Sequence, residues 1–255
     1  MADDVIKVFV GASESEWLPA QVLAHSIYSR TQRPCEVLSM NELTIPIPVP
    51  KDPSQRPVTR FSFQRFLIPQ ALGFKGRGIY LDSDMIAMGD IGELWDSPFP
   101  EGASVLMPPC WSSACMLIDA KVGWSIEGLV SLIDTRALTY NKLMKVTPLG
   151  GCAASLPQAW NTMDRPLPMK VEEARILHYT NMDTQPWLRA GHPHGALWTS
   201  ALLAAIADGF IERDDVLNEI RKGHVRPSLA LSLGEEQPYE DAHFVMPHHK
   251  PRIAA

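Results

Sequence analysis

Cysteine is scarce and unpatterned. The 255-residue chain has four, Cys35, Cys110, Cys115 and Cys152, and no two share a CxxC spacing. A disulfide scaffold is excluded, and reduced thiols are expected. No apolar run approaches the roughly 20 residues a membrane helix needs, so no transmembrane segment is expected. Residues 1–6 are acidic and lack the basic-then-apolar layout of a signal peptide. A cytoplasmic location is the expectation. Basic clusters are missing too: 23 Lys and Arg stand against 29 Asp and Glu, a formal charge of −6. A nucleic-acid binder needs a basic stripe, so nucleic acid is not an expected partner. Any phosphate ligand must be neutralised locally, by a few cations or a metal ion. There is no P-loop, no GxGxxG and no GxSxG elbow. Gly73, Gly76 and Gly78 precede a strand instead of joining strand to helix.

Apolar residues make up 45% and charged residues 20%, an ordinary globular balance. The length suits one large domain. Ile6–Ala12 reads as a buried strand ended by Gly and Ser. A helix follows, with Ser15 as its expected cap and Leu18, Val22, Leu23 and Ile27 at helical spacing. Glu36–Met40 reads as a second strand. Strand–helix–strand favours an α/β fold with a parallel sheet. Pro46, Pro48, Pro50, Pro53 and Pro57 then mark a long surface loop. Phe61–Leu72 reads as one helix, interrupted or kinked near Pro69. Gly78–Leu81, Ala103–Met107, Cys115–Ile118 and Arg175–His178 read as strands. Ser125–Asp134, Thr139–Lys145, Ala196–Asp208 and Asp214–Lys222 read as helices, the last two ended by Gly209 and Gly223. The pattern weakens beyond Pro227. Residues 1–225 are therefore expected to form the domain. Residues 226–255 are expected to form an arm or irregular tail, packed on the domain or on a second copy in a homo-oligomer.

Three places carry candidate chemistry. Asp82-Ser83-Asp84 follows an apolar strand directly. Residues i and i+2 of an extended segment point the same way, so the two carboxylates can share one hard divalent cation. In open α/β sheets ligands gather at such strand ends. His178 also follows a short apolar run; imidazole suits Mn²⁺ acceptably, although a lone His more often bonds within the fold. Arg65 can clamp phosphate in a forked geometry; in isolation it reads as a solvated helix face. His192/His194 and His248/His249 read as turn and tail residues.

The run Arg77-Gly78-Ile79-Tyr80-Leu81-Asp82-Ser83-Asp84, followed by Asp90-Ile91-Gly92-Glu93-Leu94-Trp95, resembles the signature of the family 8 glycosyltransferases. Further segments resemble the family in the same order: Ile6–Ala12, Leu23–Ile27, Ser62–Leu72, Ser112–Asp119, Leu156-Pro157 with Trp160-Asn161, and His178-Tyr179-Thr180 with Pro186-Trp187. The resemblance spans about residues 6–190.

It implies a GT-A fold: one α/β domain, with a mostly parallel central sheet flanked by helices. It also implies a retaining glycosyltransferase with a UDP-sugar donor, an unknown acceptor and Mn²⁺, or else Mg²⁺. Asp82, Asp84 and His178 would hold the metal. Ala12 and Ser13 would contact uracil, and Trp17 would stack on it. Asp82 and Ser83 would meet the nucleotide sugar, Arg65 would lie near donor sugar or diphosphate, and Ser113 would line the sugar pocket. Asp82, Asp84 and Arg65 would be the catalytic set. The chain departs from the family in several places. Gln185 stands where the family has the diphosphate-clamping Lys. Ser112 and Ala114 replace Asn and Gly, and Thr139-Tyr140-Asn141 fall where an Asp-Gln motif is expected. These departures keep a rival open: a non-catalytic nucleotide-sugar-binding protein on the same scaffold. A nucleotidyltransferase would need a Gly-rich basic loop after the first strand, which Gly11-Ala12-Ser13-Glu14 does not supply.

Overall fold

The computed structural model describes residues 5–57, 60–109, 113–146, 149, 151–164 and 170–247. Ser112, His248 and His249 lie outside them. Strand β1 (Ile6–Gly11) leads through a 3-10 turn (Glu14–Glu16) into helix α1 (Trp17–Tyr28) and strand β2 (Cys35–Ser39). Ser15 does not cap α1, because it lies inside that turn. Instead Oε2 of Glu16 accepts from the Ser13 N–H and hydroxyl, both at 2.7 Å. The helix expected over 61–72, with an interruption near Pro69, does divide there, but its first part is not α-helical. Arg60–Leu67 is 3-10 and α2 spans Ile68–Ala71. Pro69 has no N–H to continue a ladder, so it sits in the first turn of the new helix.

Then come β3 (Arg77–Asp82), β4 (Met85–Ala87), α3 (Ile91–Trp95), β5 (Val105–Leu106), β6 (Cys115–Asp119), α4 (Ile126–Asp134) and α5 (Tyr140–Leu143). Strands β7 (Cys152–Ala153), β8 (Thr162–Met163) and β9 (Ile176–His178) precede α6 (Gly195–Ala207) and α7 (Arg213–Lys222). Ser125 and Thr139 cap α4 and α5 through their hydroxyls.

The main sheet runs β2-β1-β3-β6-β5-β7. The β1–β2, β1–β3 and β5–β7 ladders are parallel; β6 runs antiparallel to β3 and β5. Alternation sorts the central strands onto two cores. Ile6, Val8, Val10, Ile79 and Leu81 pack with Leu23 and Ile27 of α1 on one face. Phe9, Tyr80, Met116 and Ile118 pack with Phe63, Phe66 and α4 on the other. Each fully buried aliphatic side chain contributes roughly 2 kcal/mol. A third cluster joins Leu18 and Val22 to Trp187, Trp198, Ile220 and Leu229, so α6, α7 and the 3-10 segment Pro227–Leu233 lie over the outer side of α1.

A second, three-stranded sheet, β4-β9-β8, was not foreseen in the sequence. Strand β3 ends at Asp82, the chain bends at Ser83 and Asp84, and β4 enters the second sheet. Antiparallel pairing of β4 with β9 sets Met85 opposite His178. That register brings His178 beside Asp84 across about ninety residues of chain. Among the described residues no helix is long and apolar enough to cross a membrane.

Candidate active site

The site lies at the carboxyl ends of β1 and β3, where Gly11 pairs with Asp82. The Ser83 N–H donates to the Gly11 carbonyl at 3.1 Å, and the Asp82 N–H to the Ala114 carbonyl at 3.0 Å. The bend is therefore pinned to both neighbouring strands. Ser83 is enclosed, with 1% exposure.

Asp82, Asp84 and His178 converge. One ligand atom from each lies within 4.8 Å of the others. A single cation with bonds of about 2.1–2.5 Å can span such a group. The partners of the three residues are arranged to leave ligand atoms over. Oδ1 of Asp82 accepts from Tyr80 Oη at 2.6 Å and from Arg65 Nη2 at 3.1 Å. Oδ2 of Asp84 accepts from Gln185 Nε2 at 3.1 Å. His178 Nε2 stands 3.1 Å from Asp84 Oδ1, but the contact lacks hydrogen-bond alignment, and Oδ1 is buried with no hydrogen-bond partner. A buried carboxylate oxygen left so is costly unless a cation meets it. His178 Nδ1 pairs with Oδ1 of Asn161 at 2.8 Å. The amide oxygen can only accept, so Nδ1 carries a proton and Nε2 is the ring nitrogen turned towards Asp84. The residues present fit a hard divalent ion.

The electrostatics agree. The buried Arg65 guanidinium pairs with Asp82, while Asp84 has no guanidinium of its own among the described residues. Burial and the Asp84 charge hold the Asp82 carboxyl above its ordinary range, against the pull of Arg65. Burial draws the His178 imidazole down, but Asp84 and then Asp82 outweigh it and hold it above its ordinary value.

Arg65 is not a solvated helix face. It is 4% exposed and makes four side-chain hydrogen bonds. Its guanidinium donates to Asp82, to the Ser113 carbonyl at 2.7 Å, to the Ser113 hydroxyl at 2.6 Å and to the Ser62 carbonyl at 3.2 Å. It also lies over the Tyr80 ring, 4.8 Å from the centroid. The Ser113 hydroxyl passes its own proton to the Met144 carbonyl. Gln185 is buried and spends its amide hydrogens on Asp84 and the Tyr179 carbonyl.

Ala12, Ser13 and Trp17 are a separate group. They line a cavity of about 820 Å³ beside the carboxylates, walled by Asn41 after β2 and by Lys222 and His224 at the end of α7. Glu16 bonds Ser13 of that lining and feels the charges of Asp84 and Asp82. Burial, resisted by its bonds from Ser13 and helped by Asp84 and Asp82, raises its carboxyl to about 7.

Four contributors were not singled out in the sequence. Tyr80 shares the Asp82 face of β3, which the two-residue period does signal. Glu16 closes a Ser-x-x-Glu box, also a readable pattern. Asn161 stood only within the resembled Trp160-Asn161 pair with no role of its own, and Gln64, which donates to Oδ1 of the cavity residue Asn41 at 2.8 Å, carried no comparable signal. The turn histidine His192 proves to be structural: its Nε2 pairs with buried Asp164 at 3.0 Å, and Thr180 supplies two more bonds to that carboxylate. Burial raises the Asp164 carboxyl, but the Thr180 hydroxyl and His192 bonds carry it below its ordinary value.

With this geometry in view, likeness to known proteins can be placed. No family model matches the chain. Protein CDI of Arabidopsis thaliana is 34% identical over 92 residues, which are 35% of this chain and 36% of that protein. Solved structures match far more of the chain. The bifunctional glycosyltransferase WbbM aligns over 78% of it and 50% of its own length, at 11% identity and TM-score 0.59. The glycosyltransferase GlyE of Streptococcus pneumoniae aligns over 93% and 66%, at 17% identity and TM-score 0.58. The galactosyltransferase LgtC, solved with donor and acceptor sugar analogues, aligns over 81% and 100%, at 12% identity and TM-score 0.54. The fold is that of the GT-A glycosyltransferases, and on it stands an Asp–Asp–His group able to hold a metal ion.

Proposed function

We propose that the chain is a metal-dependent retaining glycosyltransferase of the family 8 type, moving a sugar from a UDP-sugar to an acceptor. The observation that carries this reading is the convergence of Asp82, Asp84 and His178 at the strand ends of a glycosyltransferase fold. Mn²⁺, or else Mg²⁺, is the proposed ion. Asp82, Asp84 and His178 would hold the divalent cation, whose charge would offset that growing on the departing nucleotide. The chain's own residues prepare for it. Arg65 and Tyr80 fix one oxygen of Asp82. Asn161 fixes the His178 tautomer. Gln185 steadies Asp84. Ala12, Ser13 and Trp17 are the proposed base contacts, since they line one cavity next to the carboxylates. Calorimetric titration of UDP into metal-stripped protein, with and without Mn²⁺, tests the site. UDP release from a panel of UDP-sugars tests the transfer. Asp84→Asn should abolish Mn²⁺-dependent binding; unchanged binding in that variant would remove the metal site from the proposal.

Gln185 favours a second reading. A neutral amide stands where the resembled family has a diphosphate-clamping cation, and it is turned onto Asp84 and Tyr179. A non-catalytic nucleotide-sugar binder needs no such clamp. It would bind UDP with Mn²⁺ and release UDP from none of the sugar nucleotides.

A further inference from the structure

We propose that the cavity between the Pro-rich segment and the end of α4 binds a sugar that carries an acidic group, phosphate or carboxylate. The cavity is about 540 Å³, a size that takes a small ligand. Lys51 and Gln55 of the Pro-rich segment line it, with Arg136 and Thr139, which follow α4. It shares no residue with the cavity of Ala12 and Trp17, so the inference stands apart from the nucleotide reading above.

The acceptors of this lining are largely spent within the protein, and its donors are not. Oε1 of Gln55 accepts from the Tyr140 backbone N–H at 2.9 Å, which fixes the amide, since that N–H can only donate. Nε2 of Gln55 makes one bond, of 3.3 Å to the Ser54 hydroxyl, and keeps a second hydrogen. The Thr139 hydroxyl accepts from the Lys142 N–H and keeps its own proton. Asp134 takes the Lys51 backbone N–H at 2.9 Å, and Asp52 takes the N–H and hydroxyl of Ser54. The two cations are less engaged. Lys51 Nζ comes no closer than 4.0 Å to Asp134, and its side chain is 88% exposed. The Arg136 guanidinium makes no hydrogen bond or ion pair among the described residues. Asp52 feels its charge, as the least of the causes that hold that carboxyl low.

The turn itself does not call for an arginine. Arg136 has φ of +62°, the left-handed conformation in which glycine is the usual residue after a helix. Its N–H returns to the Ile133 carbonyl at 2.9 Å, a bond any residue but proline would make. A ligand that suits the lining offers acceptors and negative charge. A phosphate or carboxylate answers the forked guanidinium. Ring hydroxyls answer the Gln55 amide and the Thr139 hydroxyl. Buried Ile133 and Leu138 supply an apolar wall for the C–H face of the ring.

The test is calorimetry on the metal-stripped full chain with glucose 6-phosphate, glucuronate and glucose. Stripping the metal keeps the Asp82 cluster out of the readout. At least one acidic sugar should bind about tenfold or more tighter than glucose, the worth of one bond to a charged group, and the two arms name the acid. Arg136→Gly should bring the acidic sugars to the level of glucose. Because glycine suits that φ, the variant should melt no lower than the wild type. Lys51→Gln should weaken the same binding, and it keeps the backbone bond to Asp134. No preference for either acidic sugar over glucose in the wild type overturns the proposal. So does a preference that survives both variants. Either result leaves the reading of the Asp82 cluster untouched, since no metal or nucleotide takes part.

Discussion

Tyr80 donates a 2.6 Å hydrogen bond to the carboxylate of Asp82, two residues further along the same face of β3. The phenol is fully buried, and Arg65 lies over its ring while binding the same oxygen. One oxygen of Asp82 is thereby spent inside the protein, which leaves the other for a ligand. Tyr80→Phe removes the donor and leaves the packing. We expect a loss of about 1–2 kcal/mol in urea denaturation, as for one bond to a charged acceptor. Mn²⁺ affinity should fall a few-fold as Asp82 loosens. Wild-type stability and wild-type Mn²⁺ affinity in this variant would show that Arg65 alone fixes the carboxylate.

The same hydroxyl dictates the residue at position 11. A Cβ on Gly11 would sit 2.2 Å from Tyr80 Oη and 2.9 Å from its Cζ. The ring cannot swing aside, because Asp82 and Arg65 hold it. Gly11→Ala should destabilise the protein by about 1–3 kcal/mol, the usual cost of overfilling a packed site. Adding Tyr80→Phe should recover part of that loss, since the worst contact goes and the ring contact stays. Additive effects of the two changes would mean that the strand moves apart instead.

Much of this arrangement was legible in the sequence. Gly78–Leu81 is short and apolar, and Asp82 does end its strand. The short run Ile6–Ala12, rich in branched residues, reads as a buried strand, and β1 does contribute to the cores on both faces of the sheet. Two kinds of feature were hidden. Strands of two or three residues, such as β4 and β8, carry no period, so although Arg175–His178 reads as a strand, the second sheet and the register that places His178 by Asp84 appear only in three dimensions. Burial of a charged residue is equally silent: Arg65 in isolation reads as a solvated helix face, yet residues 62–69 are all buried. Period-3 winding explains part of this, since it stacks Phe63 on Phe66 and sets Arg65 over the Ser62 carbonyl.

Asn161 acts on the candidate metal through His178. With no exposure and a 2.8 Å bond to Nδ1, it turns the imidazole so that Nε2 faces Asp84. Asn161→Ala leaves that orientation unsupported. Such supporting partners are typically worth 10–100-fold in metal affinity. We expect a Mn²⁺ dissociation constant raised by about that factor, read by electron paramagnetic resonance titration of free Mn²⁺. An unaltered constant would mean that His178 is not a ligand or that packing alone aims it.

Glu16 makes stability depend on pH, with a sign opposite to that of most acidic groups. Its carboxyl is raised from 4.5 to about 7, chiefly by burial. Between those values the folded protein keeps a proton that the unfolded chain has lost. Stability therefore falls as pH rises through that window, and the group adds no further change above about pH 7. Glu16→Gln keeps an oxygen for the Ser13 N–H and hydroxyl but cannot ionise. The variant should gain on the wild type by about 2–3 kcal/mol between pH 4.5 and 7, and the difference should then stay flat. Urea denaturation at steps of one pH unit reads this directly. Saturating Mn²⁺ should move the wild-type window to lower pH, because a cation at Asp82 and Asp84 cancels the repulsion that those carboxylates exert on Glu16. A window that ignores Mn²⁺ would separate Glu16 from the metal site, while a difference independent of pH would show that its carboxyl titrates as an exposed one.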